Sequence, residues 1–357
     1  MRLRVIDFGN VPAIRSLAVF HGLAEALRPG DDPILSFVSP ETPFVCVGVH
    51  QEIAKEVDED YCRANDLPVY RRRVGGGAVY LDHNQLFTHF IYPNDKVPAY
   101  AANLYPMFIE PVVRTYRELG VQAEYRPIND IHVAGRKIGG TGAASIGEAT
   151  VMAGSFMFDF DTATMAKCLK VPSEKFRDKL KATLDDYMTT MKKELDPPPA
   201  RDEVKRLFLK HCADCLDVTP EADETTAAER DAIAAQETAL TDPDWTYRVG
   251  RKFVDMGVKI SADTHLTEAA HKAPGGLIRV QLLERDAAIA DLALSGDFTC
   301  LPPTGIDALA QALVGTKLED PALTEAAEAG MKRLNLDMPG VSPAEIASAI
   351  LAAVHNP

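Results

Sequence analysis

Residues 69–82, VYRRRVGGGAVYLD, constrain this chain more than any other stretch. Three consecutive arginines run through a β-branched residue into three glycines, and an apolar alternating segment follows at once. Glycine reaches φ > 0 and has no Cβ. A turn at Gly75-Gly76-Gly77 therefore lets backbone N–H groups close on a ligand, while Arg71, Arg72 and Arg73 supply planar cationic donors beside it. Val and Tyr flank the run on both sides in place of the Ser, Asn and Asp of flexible loops, so the stretch predicts two strands meeting at a tight bend. The plainer alternative is a hairpin with a solvated arginine cluster. The flanking residues favour a phosphate or carboxylate site.

A second stretch, residues 129–142, NDIHVAGRKIGGTG, brings a lysine onto another glycine-flanked turn. Gly135 and Gly139-Gly140 bracket Arg136-Lys137, and Ile131, Val133 and Ile138 read as strand. A lysine held on a strand points a fixed cation at developing negative charge, which a lysine on a floppy loop does less well; a surface hairpin lysine is the alternative. Asn129-Asp130 opens the same hairpin and by itself is a turn-former. With Lys137 and the arginines it completes a set suited to a nucleotide: basic groups for phosphate oxygens, a carboxylate for a base amine or Mg2+, and glycines for backbone contact.

The rest of the chain places these stretches in a mixed fold. Residues 10–27 have the apolar spacing of an amphipathic helix, residues 34–38 and 44–49 read as strands, and residues 57–65 are acidic and helical. Residues 85–92, QLFTHFIY, read as an apolar strand. Residues 104–119 have helical periodicity, with Pro106 and Pro111 weakening the first half. Residues 123–161 read as a run of strands, and two helices are expected before Pro197-Pro198-Pro199. This order predicts an α+β domain with a mixed, largely antiparallel sheet over residues 1–195. Residues 196–240 read as a helical connector. Residues 241–357 read as a small α+β accessory domain, with a strand meander after Trp245 and Ala/Leu-rich helices from Ile306.

Charge and cysteine usage narrow the function. The net charge of −14 argues against nucleic acid as a partner. Residues 1–195 carry 23 Lys+Arg against 25 Asp+Glu and the remainder 15 against 27, so the acidic excess lies in the C-terminal part and leaves room for a local cationic site. The first residues, MRLRVIDFGN, lack an apolar leader core and a cleavage site, and no stretch is long and apolar enough to span a membrane. A cytoplasmic monomer with reduced thiols is expected. Cys212 and Cys215 form a C-x-x-C in a helical stretch without a second pair, a weak metal or redox signal. His89 alternates with Phe87 and Ile91 and reads as a wall or core histidine, while His265 and His271 have no ligand spacing.

RRRVGGGAVYLD followed by NDIHVAGRKIGG resembles the lipoate-protein ligase family, whose catalytic domain is grouped with the biotin ligases and is distantly related to class II aminoacyl-tRNA synthetases. The resemblance covers residues 1–195, with a weaker match of the last segment to the small C-terminal domain of longer members. It implies ATP-dependent activation of lipoate to lipoyl-AMP, then transfer of the lipoyl group to a lysine of a small carrier domain, with ATP and Mg2+ required. It places Lys137 between the carboxylate and the α-phosphate, and Arg72 on the phosphates. It also has Gly75, Gly76, Gly77, Ala78, Val79 and Tyr80 walling nucleotide and acyl chain, Gly140 beside them, and Asn129 and Asp130 facing the adenylate or Mg2+.

Three alternatives stay open. Biotin ligases share the Asn-Asp and Arg-Lys elements but carry a longer Gly-Arg loop. Octanoyl or lipoyl transferases use a cysteine nucleophile, and none lies between Cys62 and Cys168. A non-catalytic binder of lipoate or acyl-adenylate, or one half of a two-protein ligase, would share the same residues. The chain also departs from the family pattern. Val74 replaces a hydroxyl residue before the glycines, Gly139-Gly140-Thr141-Gly142-Ala143 replaces Ser-Gly-Ser-Ala-Gln, and Asp82-His83-Asn84-Gln85 replaces Asp-x-Gly-Asn. These changes bear on the shape of the acyl pocket and on the choice of partner.

Overall fold

Strand β1 (Arg2–Val11) is buried on both faces. Leu3 and Val5 enter one hydrophobic core, and Ile6 and Val11 enter the core on the other side. The computed structural model describes residues 1–250 and 264–354, and in it β1 is an inner strand of a six-stranded sheet. The partners are β2 (Ile34–Pro40), β6 (Gln85–Pro93), β10 (Gly142–Ile146), β11 (Ala149–Met157) and β12 (Thr219–Ala222), in the order β10-β11-β6-β2-β1-β12. The β1 pairings are parallel and the other three antiparallel. The sequence pattern predicts no strand over residues 2–11 and none over 219–222, and both belong to this central sheet.

Helices cover both faces. On one side lies the helix Ala13–Ala26, with Ala227–Thr241 packed on it so closely that a Cβ on Gly22 would stand 2.5 Å from the Ile233 backbone. On the other, Ala101–Glu118 and Arg201–Leu216 bury Phe108 and Phe208 against Phe90, Phe37 and Phe156. The helix Ala101–Glu118 runs unbroken through Pro106 and Pro111, because Leu104, Tyr105, Phe108, Ile109, Val112 and Tyr116 are all buried on it and outweigh the lost donors. Within the stretch read as a connector over residues 196–240, and one residue beyond it, lie two helices, Arg201–Leu216 and Ala227–Thr241, and the sheet strand β12.

Two smaller sheets carry the motifs. In one, β3 (Phe44–Val47) lies between β4 (Val69–Arg71) and β5 (Val79–Leu81). The arginine–glycine stretch does form two strands, as its sequence predicts, and it is not the simple hairpin of the plainer alternative. Its two strands pair with β3 from either side, parallel and antiparallel, and the glycines cross between them. The other sheet is a meander of β7 (Ala123–Arg126), β8 (Asp130–Val133) and β9 (Arg136–Gly140), with a register shift between Ile131 and His132.

The C-terminal part has its own core. Strands β13 (Thr264–Ala273), β14 (Gly276–Arg285) and β15 (Ala288–Gly296) form an antiparallel meander covered by the helices Gly305–Leu313, Asp320–Arg333 and Pro343–Val354. The expected strand just after Trp245 falls largely on residues 251–263, outside the described residues. This part joins the first through Gly296 N–H to His50 O (2.9 Å), Ser295 Oγ–H to Glu52 Oε1 (2.6 Å) and the Arg279–Glu56 ion pair (2.9 Å). No helix among the described residues is long and apolar enough to cross a membrane.

Candidate active site

The three arginines have three different tasks, because successive residues of an extended chain face opposite ways. Arg71 is fully buried. Its guanidinium donates to the carbonyl oxygens of Gly48 (3.0 Å), Val49 (3.2 Å), Gln51 (2.7 Å) and Thr246 (2.9 Å), and burial lowers its pKa to about 10. It knots the turn after β3 to the short helix Pro243–Thr246, whose Trp245 returns a bond from Nε1–H to Arg71 O (2.9 Å). Arg73 turns outward to pair with Glu25, and its backbone N–H donates to His21 Nε2 (3.0 Å).

Arg72 shapes the glycine turn. It donates to the carbonyl oxygens of Gly75 (2.8 Å from Nη2), Gly77 (2.8 Å) and Cys46 (3.1 Å), wrapping the loop around one guanidinium. The glycines are needed for close approach as well as for conformation. A Cβ on Gly48 would stand 2.0 Å from Gly76 O, one on Gly75 would stand 2.7 Å from Phe298 O, and Gly76 itself has φ +89°. The C-terminal part thus packs directly on the turn.

Lys137 lies on β9. Its Nζ is 2.7 Å from Asp130 Oδ1, on the neighbouring β8. Asp130 in turn stands 3.7 Å from His132 Nε2, and the Tyr187 hydroxyl lies 3.4 Å from the same nitrogen. Burial and the Asp130 charge raise the pKa of Tyr187. Asn129 Nδ2–H donates to Thr141 O (2.7 Å), and Thr141 donates back to Asn129 O through N–H (2.9 Å) and Oγ (3.1 Å), which fixes the corner where β9 passes into β10.

These elements enclose a cavity of about 380 Å3. Arg72, Gly75, Gly76, Gly77, Ala78, Val79, Tyr80, Asn129, Lys137 and Gly140 all line it, so the glycine turn and the lysine hairpin do converge. Asp130 is not on the wall; its carboxylate is turned to Lys137. Among the described residues no three His, Cys, Asp or Glu side chains gather as a metal site. The C-x-x-C at Cys212 and Cys215 therefore has no ligand cluster around it.

The cavity has two characters. Asn129, Lys137, Thr141 and Tyr187 supply polar groups to its wall, whereas Leu17 and Phe20 of the first helix, with Phe44, Leu81 and Phe87, form an apolar arm. Gln85, Phe87 and His89 present one face of β6 to it, opposite Met157, Ser155 and Ala153 of β11. His89 is a wall histidine as its alternation suggests. It contacts Ser36 Oγ through Nδ1 (2.9 Å), and burial lowers its pKa to about 3. Cys46 also lines the cavity, and burial pushes its thiol pKa up. Sequence reasoning misses Gln85, His132 and Tyr187, whose relation to the motifs is created by strand pairing and by the end of a helix, Glu174–Tyr187, distant in the chain.

Comparison with known proteins gives the family. Residues 12–213 match the model of the lipoyl protein ligase A/B catalytic domain. The lipoate-protein ligase LplJ of Bacillus subtilis is 28% identical over 291 residues, covering 81% of this chain and 82% of that protein. An octanoyltransferase LipM of Kyrpidia tusciae is 24% identical over 271 residues, 69% of this chain and 98% of that protein. Among solved structures, an archaeal bi-partite lipoate protein ligase described with its E2 lipoyl domain, from Thermoplasma acidophilum, superposes with a TM-score of 0.65 at 26% identity. It covers 71% of this chain and 98% of its own.

The catalytic-domain match and these relatives support an acyl-transfer enzyme that forms amide bonds. The chain belongs to the lipoyl protein ligase A/B family.

Proposed function

We propose that this chain is an ATP-dependent lipoate-protein ligase. The observation that carries the reading is the meeting of Lys137, the glycine turn and an apolar arm in one cavity. An acid with a long apolar tail and a nucleotide have to share such a space for activation. A lipoate carboxylate oxygen attacks the α-phosphorus of ATP, the bond to the β-phosphate oxygen breaks, and pyrophosphate leaves. The neutral amine of a carrier lysine then attacks the acyl carbon, the acyl–oxygen bond breaks, AMP leaves with the electron pair, and the amine proton passes to solvent.

Lys137 accompanies the charge that builds on the carboxyl and phosphoryl oxygens in both steps, a contribution of about 3 kcal/mol in comparable sites. Arg72 holds the turn whose backbone amides face the phosphates. Its own donors are engaged with carbonyls, so its part is to shape the cradle, and direct contact with phosphate would require it to exchange partners. Asp130 is paired with Lys137 and would have to exchange that partner to help hold Mg2+, whose charge would neutralise the phosphates. The acceptor is a lysine on a small lipoyl-carrier domain, as a lipoyl domain accompanies the Thermoplasma acidophilum ligase.

Likeness to LipM keeps a transferase as the second reading. That chemistry needs a thiolate, and the cysteine on the cavity wall is Cys46, whose burial disfavours the thiolate. Lipoate-dependent exchange of pyrophosphate into ATP tests the ligase. Exchange that persists in Cys46→Ala and is lost in Lys137→Ala supports it. Acyl transfer without ATP that is lost in Cys46→Ala would replace it with the transferase.

A further inference from the structure

Gln85 opens β6 and is 1% exposed, yet neither Nε2 nor Oε1 has a hydrogen-bond partner among the described residues. Exchanging the two amide atoms changes nothing, since both are unpaired. Its backbone is fully engaged: the N–H donates to Asp82 O (3.2 Å) and the carbonyl accepts from Ser39 Oγ (2.8 Å). The strand is therefore fixed while the side-chain amide is open. A primary amide buried without partners is costly, and native interiors seldom keep one without a use.

The side chain lines the cavity, two residues before Phe87 and opposite Met157 in the ladder. Phe87 packs with Leu17, Phe20 and Phe44 in the apolar arm. The groups set for phosphates, Arg72, the glycine turn and Lys137, come from other elements. An amide in this arm is of no use to a plain alkyl chain, which leaves it unpaired. A chain carrying sulfur offers a weak, polarisable acceptor to its N–H.

We infer that Gln85 determines acyl specificity: its amide N–H bonds to a ring sulfur of a dithiolane-bearing acid, so the arm favours that acid over a saturated fatty acid of the same length. The inference rests on the ligase reading and names the substrate class of that site. The principle is that a site built to hydrogen-bond a substrate group discriminates against the analogue lacking it.

The test compares lipoate with octanoate, in wild type, Gln85→Leu and Gln85→Met. It uses kcat/KM for acyl-adenylate formation, KM for ATP, and direct binding of each acid by calorimetry without nucleotide. The preference for lipoate should fall about tenfold in Gln85→Leu, with KM for ATP unchanged. If Gln85→Leu melts early, the nearly isosteric Gln85→Met carries the comparison. A ratio within about twofold of wild type in both measurements, or a change confined to KM for ATP, overturns the assignment. Wild type that binds lipoate but forms no adenylate would refute the ligase reading alone, because the binding ratio still reports on Gln85.

Discussion

Lys137 Nζ and Asp130 Oδ1 face each other at 2.7 Å from adjacent strands, and the contact is closed on its third side by a glycine. A Cβ on Gly140 would lie 3.1 Å from both Nζ and Cε of Lys137 and 3.4 Å from Asp130 Oδ1. The end of the lysine side chain, Cε and Nζ, is thus confined between Asp130 and Gly140, which reduces the reorganisation left for the reaction.

Removing the cation tests its role. In Lys137→Ala, lipoate-dependent pyrophosphate release should fall about 100- to 1,000-fold, while the melting temperature changes little because the side chain is partly exposed. Lys137→Arg should not restore the rate, since a planar fork cannot replace a compact ammonium at this position. An unchanged rate in Lys137→Ala would remove the lysine from the mechanism.

Filling the space beside the lysine is a milder version of the same test. Gly140→Ala should displace Nζ by a few tenths of an ångström, lowering kcat about tenfold with stability altered by less than about 1 kcal/mol. Steady-state kinetics beside a urea melt separates the two effects.

Arg71 should govern folding and not chemistry. A lysine in its place could not reach four carbonyl oxygens from one ammonium, so Arg71→Lys should cost about 2–4 kcal/mol in denaturant unfolding. A stability equal to wild type would show that the knot between the β3 turn and Thr246 is dispensable.

Buried neutral histidines set an acid limit. His21, His50 and His89 each have a pKa lowered to about 3, with burial as the main cause, against 6.5 in the unfolded chain. Below 6.5 the unfolded chain takes up protons that the folded one refuses. Stability is therefore full above pH 6.5 and declines as the pH falls towards 3, by up to about 1.4 kcal/mol per pH unit for each histidine. Denaturant melts at about pH 8, 6 and 5 should show this slope, and His89→Gln should reduce it.

Much of the lining of the candidate cavity was legible in the sequence because its two motifs are contiguous and each contains its own geometry: glycines for approach, and a lysine on an alternating strand. What was hidden depends on partners distant in the chain. Three identical arginines take a core, a loop and a surface position according to alternation and to what β3 presents, and no local pattern distinguishes them. Gln85 reads as the start of an apolar strand; only the pairing with β11 and the packing of the first helix show that its amide lines a cavity. The strand Thr219–Ala222, TPEA, has neither apolar alternation nor β-branched density, and it exists because β1 offers it an edge.

That edge has a consequence for the order in which the protein is made. Arg2, Leu3, Arg4 and Val5 leave the ribosome more than 200 residues ahead of their pairing partners, 219–222. At ordinary elongation rates of about 5–20 residues per second, the outer edge of β1 stays unpaired for about ten seconds or longer. The nascent chain must shelter a sticky strand for that time. Charged side chains close the seam when it forms: Arg2 and Arg4 meet Glu221, Asp223 and Glu229. Before that, the same two arginines keep the waiting strand hydrated, much as edge charges keep finished sheets from joining their neighbours.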